Sequence, residues 1–325
     1  MDKVVRFSPD ERSGLFTQTA ANMGITPALV EKDFWVSWVL KRLYQHDELA
    51  RLLLFKGGTS LSKAYKLINR FSEDIDLVLD WRVLKIEDPM GERSKTKQEK
   101  LNDAIDEQAK EYIRHHLLDL IAGALDGICQ CSIEEADPHV INIQYPGAFS
   151  DEYLRPEVRL EIGPLAAWVP FEEKLISCYA ADEFPDVFEE AECSVMVVKA
   201  ERTFWDKATI LHHEAHRPDD NPQPPRYSRH YYDLAKLTES AVRKAALADL
   251  ALLENVVEFK QRFYPRTWAR YDLARPGSFR LIPEGKVLAT VEADYRAMQN
   301  MIFGDVPSFE SIMKSLQVLQ DEINA

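Results

Sequence analysis

Residues Leu52 to Asp80 read LLLFKGGTSLSKAYKLINRFSEDIDLVLD, and the fold turns on how this stretch is parsed. The apolar run Leu52 to Phe55 is too brief for a free helix and is halted by Gly57 and Gly58, which marks it as a buried strand. Two adjacent glycines after a strand let the backbone turn tightly and approach a ligand. The helix that follows offers unpaired N–H groups and the positive end of its dipole to phosphate. From Ser60 to Arg70 the spacing is helical, with Leu61, Ala64, Tyr65 and Ile68 on one side and Lys63, Lys66 and Arg70 on the other. Ile75 to Leu79 reads as a second strand. Side chains two apart on a strand share a face, so Asp74 and Asp76 lie together while Ile75, Leu77 and Leu79 pack inward.

Paired carboxylates on one face repel each other unless a cation sits between them. Oxygen donors at that spacing suit Mg²⁺, which takes one or two protein carboxylates and fills its octahedron with water and phosphate oxygens. A ligand-free turn explains the glycines alone, and a solvated strand end explains the carboxylates alone; both halves within one unit point to phosphoryl chemistry. Thr59 and Ser60 add hydroxyl donors at the turn. Two better-known phosphate motifs do not fit. G-x-x-x-x-G-K-[ST] fails because Ser62 stands at its second glycine and Ala64 follows Lys63, and G-x-G-x-x-G is absent here. The run HHEAH, His212 to His216, is one residue short of the zinc-protease pattern H-E-x-x-H, so ordinary histidines are the better reading.

Working outward, 325 residues allow two or three domains with a substantial core. A formal net charge of -14 excludes a general polyanion binder, so a nucleic-acid substrate needs a local basic patch. Cys129, Cys131, Cys178 and Cys193 form no C-x-x-C pair and read as reduced thiols. The charged start MDKVVRFSPDERSG has no apolar signal region and no apolar run is long enough to span a bilayer, so a cytoplasmic protein is expected.

Ser8, Pro9 and Glu11 form a capping box that opens a helix, and Gly24 is placed to end it. Thr26-Pro27 opens a second helix, whose Leu29, Phe34, Val36, Trp38 and Val39 pack while Glu31, Lys32, Lys41 and Arg42 stay polar. Residues 91–126 look like one long charged helix, broken near Gly123; HVINIQY and EVRLEI are two further strands. AERTFWDKATILHHEAHR and RHYYDLAKL are helices flanking the loop PDDNPQPPR, and residues 239–264 and 306–323 are helical. Three parts are expected: helices over 1–50, a catalytic core over 51–170, and a mainly helical part over 171–325.

FKGGTSLSKAY…RFSEDIDL is similar, almost continuously from Phe55 to Leu77, to the AbiEii/AbiGii branch of the DNA polymerase β-like nucleotidyltransferases, the toxins of type IV toxin–antitoxin systems. The likeness continues weakly through EKDFWVSWVLKRL, TFWDKA and RHYYDL; beyond residue 240 no motif contributes. It implies an α+β fold, a small mixed sheet with flanking helices plus a C-terminal helical domain. Asp74 and Asp76 are then the ligands of one or two Mg²⁺ ions. Lys56, Gly57, Gly58, Thr59, Ser60 and Lys63 are implied to bind nucleotide. A third acid is implied on a neighbouring strand, where Glu161 in PEVRLEIGP shares a face with Glu157 and Arg159; Arg159 is either a phosphate contact or an ion-pair partner. Lys207 matches the family's lysine and is implied to contact the triphosphate. Asp233 matches its later aspartate, and orients that lysine, reaches the acceptor, or pairs with Arg229 or His230. The implied partners are an NTP, an RNA acceptor such as the 3′ end of tRNA, and a cognate antitoxin. Lys63, Lys66 and Arg70 are either an RNA-contacting helix face or solvated surface. A protein or small-molecule acceptor, and a nucleotide-binding regulator without catalysis, remain open alternatives.

Overall fold

In a computed structural model describing residues 1–149, 156–164 and 169–325, the local signals at the N-terminus hold. After a short helix α1 (Asp2–Val5), Ser8 Oγ accepts from the Glu11 N–H at 3.3 Å and Glu11 Oε2 accepts from the Ser8 N–H at 2.8 Å, opening α2 (Pro9–Met23). Gly24 closes it in the left-handed conformation, φ 68°. Helix α3 (Pro27–Gln45) starts at the Thr26 cap, and α4 (Asp47–Leu52) leads into the sheet.

Two compact units share the chain. The first comprises Met1–Ala64 and Ser72–Val198, the second Tyr65–Phe71 and Lys199–Ala325. Among the described residues the first unit holds a seven-stranded mixed sheet of order β3-β4-β5-β2-β1-β7-β6. Its strands are β1 (Leu53–Lys56), β2 (Asp74–Leu79), β3 (Gln130–Ile133), β4 (Val140–Gln144), β5 (Glu157–Gly163), β6 (Phe171–Ser177) and β7 (Glu192–Val198). β1 runs antiparallel to β2 and parallel to β7, while β2 runs parallel to β5. Helix α5 (Gly57–Lys63) follows β1 directly. Then come α6 (Lys95–Tyr112) and α7 (Leu118–Ala124), joined through a π-helical turn at Ile113–Leu117, and α8 (Tyr179–Glu183). The helical run ends at Ala124, just past Gly123, and its internal irregularity lies about two to three turns earlier, at the π turn.

The core of the first unit forms where α3 covers the sheet at β5 and β7, with Phe34, Trp35, Trp38 and Leu40 at most 1% exposed. Trp35 stacks on Tyr145 with ring centroids 5.3 Å apart. Glu31, Lys32 and Lys41 are not the solvated positions that the helical pattern suggests; all three are buried, as is Asp33. Successive helix residues point about 100° apart, so Glu31, Lys32 and Asp33 fan out to three different segments. Glu31 accepts from the N–H groups of Ala148 (2.7 Å) and Phe149 (3.1 Å). Lys32 donates to the Glu157 carbonyl and sits 3.5 Å from Glu73. Asp33 accepts from Lys63 Nζ at 2.6 Å and from the Tyr179 N–H at 2.7 Å. Each charge is tolerable in the interior because it is paired.

The second unit is built from α9 (Ala200–Glu214), α10 (Ser228–Thr238), α11 (Ala241–Ala248), α12 (Leu250–Phe263), α13 (Gly285–Met298) and α14 (Phe309–Asn324). α9 is its axis, packed against α10, α11 and α12. Residues 65–71 join it through backbone bonds, Phe71 N–H to Met301 O and Phe303 N–H to Asn69 O, both 2.7 Å. Among the described residues no helix is long and apolar enough to cross a membrane.

Several sequence expectations are corrected here. The helix anticipated from Ser60 to Arg70 runs only from Gly57 to Lys63; Lys66 adopts a positive φ of 53° and the chain passes into the second unit. Lys63, Lys66 and Arg70 therefore form no common helix face. β3, β6, β7 and α13 are additions. β7 keeps the period of two in its burial, with Cys193, Val195 and Val197 inward, but the apolar run Val195 to Val198 masks that alternation in the sequence.

Candidate active site

β2 displays carboxylates only at its beginning. Ile75 and Leu77 are fully buried, and from Val78 onward the opposite face is covered too, by Leu54 and Val198. Asp74 and Asp76 are thus the two positions of the strand that reach the open face. Pairing with β5 sets Asp74 opposite Arg159 and Asp76 opposite Glu161, and pairing with β1 sets Asp76 opposite Lys56. Adjacent strands lie about 5 Å apart, so the candidate third acid stands beside the D-x-D motif, at the register position the alternation of EVRLEI implies. Arg159 lies between the acids, its Nε 3.8 Å from Asp74 Oδ1 and its Nη2 3.8 Å from Glu161 Oε1. At those distances it balances charge without locking either carboxylate by a hydrogen bond. Burial raises the Asp74 pKa, and the neighbouring charges of Glu73 and Asp76 raise it further against the pull of Arg159 and Lys32.

The glycine turn meets this face directly. Gly57 has φ +81°, and a Cβ placed there would lie 1.9 Å from Asp76 Oδ2. Glycine is required for both reasons: its backbone conformation is one L side chains resist, and the space is already filled by the catalytic-candidate carboxylate. Gly57→Ala is expected to cost about 1–3 kcal/mol in stability. It should lower transfer by on the order of 100-fold, since a displacement of about 1 Å at a reacting group is worth that much. Urea unfolding beside steady-state transfer measures both; wild-type turnover in this variant would show that Asp76 is independent of the turn.

The hydroxyls beside it behave differently from expectation. Thr59 and Ser60 are fully buried: Thr59 Oγ1 donates to the Asp74 carbonyl and bonds Ser72 Oγ at 2.9 Å, and Ser60 Oγ donates to Gly57 O at 2.8 Å. They tie α5 to β2 and brace the turn, which leaves the backbone N–H groups at the start of α5 as the donors for an anion. Lys63, expected among the nucleotide contacts, is 7% exposed, paired with Asp33 and set 4.7 Å from the Tyr179 ring centroid. Its charge is consumed in holding α5 to α3. Sequence reasoning passes over Asp33 as the partner; the only signal is the matching EKDFW segment.

In the second unit, Lys207 on α9 and Asp233 on α10 are brought together at 2.7 Å, and Arg70 grips the same carboxylate with two further bonds of 2.7 Å. Of the partners weighed for Asp233, Lys207 is present, and Arg70 takes the place of Arg229 or His230 because it alone arrives from the inserted segment 65–71. All three side chains are buried. Burial pushes the Asp233 carboxyl up, yet Arg70 and Lys207 more than offset it and hold it well below the usual range. Burial lowers the Lys207 pKa. Two cations on one carboxylate leave the cluster a positive charge in excess.

The donor set suits Mg²⁺ in its two-carboxylate mode. Asp74 and Asp76 are hard oxygen donors on one face, and their mutual repulsion is the kind a dication relieves. Among the described residues no group of three His, Cys, Asp or Glu is clustered for a metal; in its two-carboxylate mode Mg²⁺ completes its octahedron with water and phosphate oxygens. HHEAH is no exception. Glu214 is taken by the Arg217 fork at 2.7 Å, and both ring nitrogens of His212 bond backbone groups.

A mixed sheet whose glycine turn abuts a D-x-D strand, with a third carboxylate one strand over, defines a nucleotidyltransferase-type centre. The chain belongs to the AbiEii family, the nucleotidyl transferase toxins of type IV toxin–antitoxin systems, whose sequence model matches residues 38–315. It is thus a nucleotidyltransferase of that toxin family. Solved structures similar to it include MenT4, a nucleotidyltransferase toxin from Mycobacterium tuberculosis H37Rv, at 18% identity and TM-score 0.48 over 95% of this chain and 99% of that one. Another is JHP933 from Helicobacter pylori, at 14% identity and TM-score 0.34 over 90% and 97%. No protein of curated function matches the sequence.

Proposed function

We propose that this protein moves a nucleoside monophosphate from an NTP to a hydroxyl of an RNA acceptor, with Mg²⁺ bound by Asp74 and Asp76. The contact that carries the reading is Gly57 against Asp76, because it joins a phosphate-type turn to a metal-type carboxylate. A bound Mg²⁺ supplies electrostatic stabilisation of charge on the transferred and leaving phosphate oxygens. The N–H groups at the start of α5 grip the β/γ end of the triphosphate. Glu161, 43% exposed and in register with Asp76, accepts the proton of the attacking hydroxyl. The acceptor oxygen bonds the α-phosphorus as the bond to pyrophosphate breaks. Lys207 is assigned charge compensation for the departing pyrophosphate, and Asp233 with Arg70 its orientation. Positioning and electrostatics dominate such reactions. The 3′ end of tRNA is the acceptor the family points to, and blocking it accounts for toxicity that an antitoxin must counter.

Purified protein incubated with each labelled NTP, Mg²⁺ and total RNA tests this. Label on tRNA, lost with EDTA, is the expected result. Label on protein or a small molecule would move the acceptor assignment elsewhere, and nucleotide binding without transfer would leave a regulator.

A further inference from the structure

Between Lys260 and Arg280 the chain carries six cationic side chains and one acidic one, Asp272, within a protein of net charge -14. Lys260 to Phe263 is the last turn of α12; beyond it regular structure is scant, two 3₁₀ turns at Thr267–Ala269 and Tyr271–Leu273, yet the segment is firmly seated. His212 on α9, fully buried, accepts the Arg280 N–H on Nδ1 at 3.1 Å and donates from Nε2 to the Arg270 carbonyl at 3.0 Å. One ring thus clamps two arginines ten residues apart. Burial pushes the His212 pKa down to about 4, which keeps the ring in the neutral form this clamp needs. His213 meets the Trp268 ring edge-on at 5.4 Å, and Arg217 lies over the same ring at 4.6 Å while its fork holds Glu214. The histidine-rich run that resembles a broken zinc motif is therefore spent on anchoring residues 266–280.

What the anchor leaves in solvent is charge. Arg266, Arg270, Arg275 and Arg280 are all exposed. Arg270 bonds Asp272 at 3.0 Å and Arg280 bonds Glu284 at 3.2 Å, but these pairs stand in water, where such contacts are weak and easily exchanged. Arg266 and Arg275 have no carboxylate partner among the described residues. Four exposed arginines on one short, anchored segment with a single acidic residue serve no purpose in folding; they suit a ligand that brings many negative charges. Arginine forks match phosphate oxygens two at a time, and a backbone already fixed beneath them lowers the cost of ordering on binding. Tyr264, 48% exposed at the edge of the segment, offers a ring for a base.

We propose that residues 266–280 are the surface on which the phosphate backbone of the RNA acceptor docks, held in place by the C-terminal half of α9. This rests on RNA being the acceptor, as read above. The rest of the chain is acidic on average, so the patch also decides where a polyanion can approach.

The test uses the full-length protein and bulk tRNA, with affinity measured by fluorescence anisotropy across a potassium chloride series. The double variant Arg266→Glu/Arg275→Glu is expected to bind tRNA at least about tenfold more weakly, with the slope of log K against log salt reduced by about 1–2, one unit per lost phosphate contact. Its KM for NTP should be unchanged. Asp272→Ala, which removes the competing carboxylate, should bind tRNA more tightly, an effect that damage to the fold cannot produce. Unchanged affinity and slope in both variants, with wild-type protein transferring label to tRNA, overturns the docking surface alone. Wild-type protein that neither binds nor labels RNA overturns the acceptor assignment and this surface together.

Discussion

Asp76→Ala is expected to lower nucleotidyl transfer about a thousand-fold, roughly 4 kcal/mol of transition-state stabilisation, while leaving the fold intact. The size follows from losing one of the two proposed protein ligands for the dication and the neighbour against which the Gly57 turn closes. The fold should survive because Asp76 sits on the open face of β2, and its neighbours Ile75 and Leu77 supply the packing. Asp74→Ala should behave alike. Glu161→Gln should lose about 100-fold, the lower end of what a general base contributes. Single-turnover assays with saturating NTP and Mg²⁺, beside circular dichroism, make the comparison. Transfer within tenfold of wild type in Asp76→Ala would remove the carboxylate pair from the mechanism.

Asp233→Ala is expected to cost about 3–5 kcal/mol of stability, the usual penalty for stripping the counter-ion from buried charge. Here two cations lose a counter-ion at once, since Arg70 and Lys207 both bond this carboxylate. Arg70 is also the link by which the inserted segment 65–71 is tied to α10, so the loss should appear in the second unit's unfolding transition. The pH dependence has a definite sign. Asp233 is held below the ordinary aspartate value, so its stabilisation is complete above about pH 4 and is lost as pH falls through the depressed folded value. Urea midpoints of wild type and variant should therefore converge in acid. A variant as stable as wild type at pH 7 would mean that the two cations find other partners or water.

Much of the candidate catalytic face is legible in the chain itself. The turn after Phe55, the shared face of Asp74 and Asp76, and the alternation that sets Glu161 beside Arg159 all depend on residues a few positions apart. Backbone sterics and the strand period act at that range. The caps at Ser8 and Thr26 are legible for the same reason. The fate of buried charge is not. EKD at residues 31–33 fits a polar helix face as well as three buried grips, and only the packing of α3 onto β5 and β7 decides between them. The local pattern makes Lys63 and Arg70 neighbours on one helix, but the chain departs between them, so each ends in a different unit with a different aspartate.

By itself, then, the sequence determined where the backbone must turn, which strand bears the acids, and which family the motif belongs to. Tertiary structure alone decided which ionic groups face solvent and which are locked together, because an ion pair in the interior is chosen by segments far apart in the chain. It also turned a misleading histidine run into the seat of a basic surface, since a ring's hydrogen-bond partners are set by what packs against it.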